Sequence, residues 1–222
     1  MENQILDDNA FQDGSQQEMM RNNIDRANYA IYCLYGAGAL VVTIFFTNLY
    51  FVFNIDNQGV FSEENPVVIG QVLLVLLNVI VSLTGFVLFL MWFRRAYKNI
   101  QIIGYKTPYK DGWAVGGFFV PFINLFYPYE IMKTIWQKMR LTADGNNIPH
   151  YLGSGIYGWW WAFWLFSNIL SSIAGQTSEF VEFTVYFATF TNIVEMADIA
   201  ISILVISKIR DTEKELREHG GF

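Results

Sequence analysis

The chain has 222 residues, of which 53% are apolar and only 15% are charged, and its net charge is −6 at pH 7. Soluble domains are about 25% charged, so a soluble protein of this composition would expose too much apolar surface, whereas lipid solvates such surface directly. The negative charge disfavours nucleic-acid binding. The single cysteine, Cys33, excludes an intrachain disulfide. We expect no cofactor and no metal site, because His150 and His219 lie far apart in polar segments.

The two ends of the chain are polar. Residues 1–27 contain no apolar segment typical of a signal peptide, and we expect a disordered, acidic cytoplasmic tail. Its acidic residues include Asp7, Asp8, Asp13 and Glu18. A membrane domain is expected over 28–208, followed by a charged cytoplasmic tail over 209–222. The alternating charges from Asp211 to Glu218 predict that the last helix continues into water.

Four segments of the membrane domain are predicted to span the bilayer as helices. About 20 apolar residues, each rising 1.5 Å, cross roughly 30 Å of hydrocarbon. The segments of suitable length are residues 29–53, 67–93, 157–174 and 181–207. The third begins with a cluster of tryptophans, whose amphipathic rings favour the headgroup level of a membrane. The sequence therefore predicts an all-α integral membrane fold.

A further apolar segment, residues 112–129, has no charge but is not expected to cross the membrane. Pro121 interrupts it and Pro128 lies near its end, and proline removes a backbone donor and clashes with the preceding helical turn. Irregular backbone is tolerated at membrane depth only where protein or water surrounds it. We therefore predict a re-entrant hairpin or an interfacial wedge.

The positions of the basic residues support four spans instead of five. With four spans, all 14 Lys and Arg residues fall on one side, because the connections 54–66 and 175–180 contain none. With five spans they would be divided equally between the two sides. The positive-inside rule therefore predicts a cell inner-membrane protein with both termini in the cytoplasm.

Residues 129–140 carry apolar side chains at helical spacing, with charged side chains on the opposite face. The apolar residues are Ile131, Met132, Ile135, Trp136 and Met139. This pattern predicts a short amphipathic helix that lies in the membrane surface.

The centre of the chain contains three recognisable motifs. They are W-F-R-R-A-Y-K-N at Trp92–Asn99, W-A-V-G-G-F-F-V-P-F-I-N-L-F-Y-P-Y at Trp113–Tyr129, and I-W at Ile135–Trp136. The residues that match best are Trp92, Arg95, Asn99, Trp113, Pro121, Asn124, Pro128, Tyr129 and Trp136. These motifs resemble a bacterial membrane family called domain of unknown function 4328. The resemblance covers about residues 30–208 and implies a four-helix membrane fold, but no activity.

Two ionisable residues of the last predicted span, Glu195 and Asp198, lie on one helix face. Each would cost on the order of 2.5–3.5 kcal/mol if it faced lipid at the membrane centre, so this face is expected to lie inside the protein. Matching the depths of the spans predicts a polar layer around the two carboxyl groups. Its expected members are Asn78, Ser82, Asn168, Asn192, Glu195 and Asp198. Either the carboxyl groups form a proton or cation path, or their hydrogen bonds join the helices at about 0.6 kcal/mol per contact.

Basic side chains are concentrated on the predicted cytoplasmic side. Candidates for contact with anionic lipid are Arg94, Arg95, Lys98, Lys133, Lys138 and Arg140, each contributing about 1 kcal/mol. The alternative is that these residues only set the membrane topology.

We find no sequence motif of an enzyme: the chain lacks G-x-S-x-G, P-loop, H-E-x-x-H and dinucleotide-binding patterns. We therefore favour a non-enzymatic accessory or scaffold module that contacts membrane lipid and binds a protein partner or a second copy of itself. The alternative is a small oligomeric transporter or channel that uses Glu195 and Asp198.

Overall fold

A computed structural model describes residues 22–62, 64–153, 155–174 and 181–219. In this part of the chain there is no strand, which confirms the all-α class. The α-helices are α1 (Ile24–Phe53), α2 (Pro66–Ile102), α3 (Trp113–Gly116), α4 (Tyr127–Gly145), α5 (Ile156–Ala174) and α6 (Val181–Glu218). Short 3₁₀ helices cover Gln58–Phe61 and Ile123–Leu125. The expectations for residues 1–21 and for the connection 175–180 lie outside the described residues.

Helices α1, α2 and α6 are long and apolar enough to cross a membrane. Helix α5, the remaining predicted span, is 19 residues long and therefore about 28 Å in length, close to the thickness of the hydrocarbon layer. Its sequence has no charged residue and includes four tryptophans. Helices α1, α2 and α6 therefore have the length and composition of membrane spans, and the fourth span stays a prediction.

The chain forms two compact units, and the three longest helices contribute to both. We call residues 29–88 and 158–205 the apolar unit. The basic unit consists of residues 89–157 and 206–222 together with the segment up to Asn28. Of the 14 Lys and Arg residues, the 13 that the structure describes all belong to the basic unit, and the apolar unit contains none.

The basic unit has a well-buried core. Its largest fully buried side chains are Trp92, Phe93, Tyr97, Ile100, Ile131, Met132, Ile135, Met139, Leu152, Ile206, Ile209 and Leu216. Four of these belong to α4, so the apolar face of this helix packs against protein. In addition, the indole Nε1 of Trp136 donates a hydrogen bond to the carbonyl oxygen of Gly153 over 3.2 Å.

The prediction that residues 129–140 lie in the membrane surface is therefore wrong. The helix is longer than expected, spanning Tyr127–Gly145, and its apolar face is covered by the core of the basic unit. The same 3.6-residue periodicity suits a lipid surface or a protein core, and the sequence pattern does not distinguish them.

The last helix also differs from expectation. Helix α6 does continue to Glu218, but Thr212, Glu213 and Leu216 are buried on its final turns. The alternating charges of this segment suggested a solvated extension, whereas one face of it belongs to the core of the basic unit.

The apolar unit combines close helix contacts with an exposed hydrocarbon surface. A methyl group placed on Gly38 would lie 3.5 Å from Ile199 of α6, and one placed on Gly85 would lie 3.5 Å from the Sγ atom of Cys33. Such small residues let apolar helices approach each other closely. On α2, by contrast, Leu73 and Ile80 are each 62% exposed, as expected of side chains that face lipid.

We predict that Ile135→Ala lowers the free energy of unfolding by about 2–5 kcal/mol, because it opens a cavity in the basic unit. The measurement is denaturant unfolding of the purified protein in detergent. Leu141→Ala is the matched control on the same helix, since Leu141 is 53% exposed, and we expect it to change stability little. Equal effects of the two substitutions would contradict the packing of α4 against protein.

Candidate functional site

The two carboxyl groups of α6 lie beside α2 within the apolar unit. The side-chain amide of Asn78 lies beside the carboxyl group of Glu195. Asp198 lies close enough to Glu195 for the two carboxyl groups to interact electrostatically. The structure therefore brings together three of the residues that the depth alignment placed in one layer.

Among the buried atoms without a hydrogen-bond partner on these helices, acceptors outnumber donors. Among the described residues, the Oδ1 atoms of Asn78 and Asp198 are buried without a hydrogen-bond partner, as is the Nδ2 atom of Asn192. A buried polar atom without a partner costs about 1–3 kcal/mol, and the apolar unit has no Lys or Arg to compensate the carboxyl groups. The site can therefore accept a proton or another hydrogen-bond donor.

The remaining predicted members of the polar layer differ in position. Asn192 is 8% exposed, and Ser82 is partly buried on α2. Asn168 is exposed, and its side chain donates a hydrogen bond to the carbonyl oxygen of Trp164 in its own helix over 2.7 Å. The structure therefore does not bring Asn168 to the carboxyl groups. Equal depth in a membrane does not determine the direction in which a side chain points.

Sequence reasoning missed a second polar contact in the apolar unit. The Nε2 atom of Gln71 donates a hydrogen bond of 2.6 Å to the Oδ1 atom of Asn48, and Asn48 is only 4% exposed. The sequence assigns no partner to Gln71. Asn48 stands alone in an apolar span, and an isolated amide in such a span is itself a sign of an internal partner.

In the basic unit, residues 112–126 form an irregular segment that we call the aromatic loop. After the single turn of α3, the backbone bends at Pro121, and Phe122 has a left-handed φ of 65°. Phe118 is buried, with its ring centroid 6.0 Å from that of Phe89. The side chains at the far end of the aromatic loop are exposed. They are Phe119, Val120, Phe122, Leu125 and Phe126.

Ring packing fixes the base of the aromatic loop. The ring of Tyr127 stacks on that of Tyr109 with centroids 4.0 Å apart, and Trp113 contacts it edge-on at 5.2 Å. Gly117 lies where a β-carbon would be 2.8 Å from the carbonyl oxygen of Trp113, so only glycine fits. The exposed aromatic side chains are thus carried on a rigid base.

Ion pairs occupy part of the predicted lipid-binding group. Arg94 pairs with Asp111 at 3.0 Å, Lys133 with Glu130 at 3.4 Å and Arg140 with Asp144 at 3.5 Å. The Nζ atom of Lys138 lies 5.0 Å from the ring centroid of Tyr105. Lys98 is exposed and Arg95 is partly buried. Exposed ion pairs contribute little stability, so the paired residues can still exchange their partners for lipid phosphates.

Three long helices meet in the basic unit at Asn23, and we call this contact the helix junction. The side-chain amide of Asn23 donates a hydrogen bond to the carbonyl oxygen of Trp92 over 3.2 Å. The backbone N–H of Asn23 lies beside the carboxyl group of Glu213. Glu213 accepts hydrogen bonds of 3.2 and 3.0 Å from the Nε and a terminal nitrogen of Arg217. Glu213 is 1% exposed. Its burial was not predicted, because the residues around it in the sequence are charged.

The central motifs belong to the basic unit, where Trp92 and Trp136 are buried and Pro128 begins α4. The sequence profile of a family described as Domain of unknown function (DUF4328) matches residues 68–214. The chain belongs to this family. The DUF4328 match begins within α2, whereas the resemblance was expected to begin near residue 30. The match leaves out α1, and it extends further into α6 than the expected resemblance did. No curated protein and no solved structure matches the chain.

Glu213 gives a prediction about pH. Burial raises the pKa of Glu213 above its usual value of 4.5, although Arg217 and the N–H of Asn23 act in the opposite direction. A raised pKa means that the folded state binds the proton more tightly than the unfolded state. The contribution of Glu213 to stability is therefore largest below pH 4.5 and is lost as the pH rises through its raised pKa.

We expect the unfolding free energy of the native protein, relative to that of Glu213→Gln, to fall as the pH rises from 4 towards neutrality. Denaturant unfolding in detergent at several pH values measures this difference. Glu215→Gln is the control on the same helix. A difference that stays constant or rises with pH would show that the ion pair outweighs the burial of Glu213.

Proposed function

We propose that this DUF4328 protein is a non-enzymatic accessory or scaffold module of the inner membrane. It crosses the membrane four times and has both termini in the cytoplasm. The aromatic loop is immersed in the cytoplasmic headgroup region, and the rest of the basic unit presents a surface to a protein partner or a second copy. The exposed aromatic side chains on a rigid base are the observation that carries this proposal.

The topology is supported by the division of charge between the two units. The 13 basic residues that the structure describes all lie in the basic unit and the apolar unit holds none, as the positive-inside rule requires if the basic unit is cytoplasmic. The length of α5 suits a fourth span, and an even number of spans returns the chain to the side from which it started.

The location of the aromatic loop is supported by its exposure. Phe122 is 80% exposed, and Phe119 and Phe126 are 66% and 64% exposed. Clusters of aromatic side chains favour the membrane interface, where the rings leave water without entering the centre of the bilayer. The basic side chains of the same unit, including Lys98, would then lie near the phosphates of anionic lipids.

A scaffold function is supported by the role of the motif residues. Trp92 and Trp136 are at most 2% exposed, and Pro128 forms the start of α4. These residues build the core that holds the aromatic loop. The distinctive motifs of the chain therefore stabilise the fold that presents the aromatic loop.

We predict that a fluorophore at position 122 lies in the lipid headgroup region. The test uses Phe122→Cys in a Cys33→Ser background, labelled with a polarity-sensitive dye and reconstituted in liposomes. Lipids with a quencher near the headgroup should reduce its emission strongly, because the dye replaces a side chain immersed in the interface.

Asn146→Cys is the control, because Asn146 is exposed on the same unit but far from the aromatic loop in sequence. Equal quenching at positions 122 and 146 would contradict the immersion of the aromatic loop. For the scaffold function, purification from native membranes in a mild detergent should yield the chain with a partner or as an oligomer. Recovery of the monomer alone would contradict that function.

A second candidate function is an oligomeric transporter or channel for protons or cations. It is favoured by the contact of Asn78 with Glu195 and by the unpartnered Oδ1 atom of Asp198. Four spans enclose little space, so a conducting path would require several copies of the chain.

We predict for this second candidate that Glu195→Gln and Asp198→Asn reduce a proton or cation flux into proteoliposomes by about tenfold or more, because each removes a charge from the path. Glu182→Gln, at the start of the same helix and exposed, should leave the flux unchanged. The absence of flux through the native protein under both proton and cation gradients would exclude this function.

A further inference from the structure

The apolar unit contains a cavity of about 390 Å³ that is separate from the carboxyl groups. It lies among the end of α1, the first turns of α2, the beginning of α6 and the short 3₁₀ helix after α1. Its apolar walls include Phe51, Phe61, Val72, Leu76, Val185 and Ala188. Sites for small ligands usually measure about 300–1,000 Å³, so the cavity is large enough to bind a molecule or part of one.

The side chains that line the cavity favour a hydrocarbon over a polar or charged ligand. The side chains that line the cavity include no charged group. Two of its polar side chains, Asn48 and Gln71, are joined to each other by a hydrogen bond of 2.6 Å, although the Oε1 atom of Gln71 has no partner among the described residues. Predominantly apolar walls favour an apolar molecule, because a buried polar group without a hydrogen-bond partner is unfavourable.

The position of the cavity indicates where the hydrocarbon comes from. Val72 and Leu76 line it on α2 and are 54% and 56% exposed, so this wall also reaches the outer surface of a helix long and apolar enough to span the membrane. An acyl chain can therefore enter sideways from the bilayer without crossing water.

The charges near the cavity disfavour an anionic lipid. The connection between α1 and α2 carries Asp56 and Glu64 and has no Lys or Arg. A phosphatidylglycerol headgroup, which has a net negative charge, would be repelled there, whereas the ammonium group of a zwitterionic phosphatidylethanolamine would be attracted.

We propose that this cavity is a binding site for one acyl chain of a zwitterionic phospholipid, and we call it the chain pocket. The chain lies between α2 and α6, and the headgroup stays at the membrane surface near Asp56 and Glu64. The proposal is independent of the scaffold and transporter functions, because it involves neither the aromatic loop nor the two carboxyl groups of α6.

The test uses the full chain in lipid nanodiscs that contain phosphatidylethanolamine with a photoreactive group in one acyl chain. After illumination, mass spectrometry should place the lipid on peptides that include residues 68–76 and 184–188. Ala188→Leu and Ala188→Trp fill the chain pocket progressively. We expect the Trp variant to reduce this labelling by about fivefold or more and the Leu variant to reduce it less, since added side-chain volume excludes the acyl chain.

Ala200→Trp is the matched control, because Ala200 is exposed on the same helix and does not line the cavity. Circular dichroism and a single elution peak verify the fold, and the Leu variant provides the comparison if the Trp variant does not fold. Labelling that is unchanged in both Ala188 variants would overturn the chain pocket. Equal labelling by photoreactive phosphatidylglycerol would overturn the preference for a zwitterionic lipid.

Discussion

The helix junction at Asn23 is the contact on which the basic unit depends. Asn23, which directly precedes α1, donates a hydrogen bond to α2 through its side chain, and its backbone N–H lies beside the carboxyl group of Glu213 in α6. The neighbouring side chains strengthen the same connection, since Arg26 donates to the carbonyl oxygen of Met91 and Arg210 donates to Asn28. These contacts join segments that are far apart in sequence, so the junction fixes how the three longest helices lie relative to one another within the basic unit.

The two units satisfy their polar groups in different ways. In the basic unit, charged side chains pair with one another at the surface, and the buried Glu213 has both Arg217 and a backbone N–H as partners. In the apolar unit, two of the polar contacts join neighbouring helices. Gln71 donates a hydrogen bond to Asn48, and the carboxyl group of Glu195 lies beside Asn78. The Oδ1 atom of Asp198 has no partner among the described residues, and this excess of acceptors is the physical basis of the proton or cation hypothesis.

The residues in and beside the aromatic loop divide into those that form its base and those that are exposed. Gly117, Tyr127 and Phe118 make close contacts that hold the base, whereas Phe119 and Phe122 project outward. A rigid, proline-bent loop can present apolar side chains without collapsing on them, and this is why it is suited to an interface with lipid or with another protein.

The sequence by itself determined the all-α class, three of the spanning helices and the family, because the length of an uncharged segment and the positions of proline are local properties. It also placed Asn78 and Glu195 in one polar layer, because the depths of residues in the predicted spans can be matched. Only the tertiary structure decided what each face contacts. The apolar face of α4 meets protein instead of lipid, Glu213 is buried among charged neighbours, and Asn168 points away from the carboxyl groups. Periodicity is the same whatever covers a helix, and the partner of a side chain depends on how distant segments of the chain pack together.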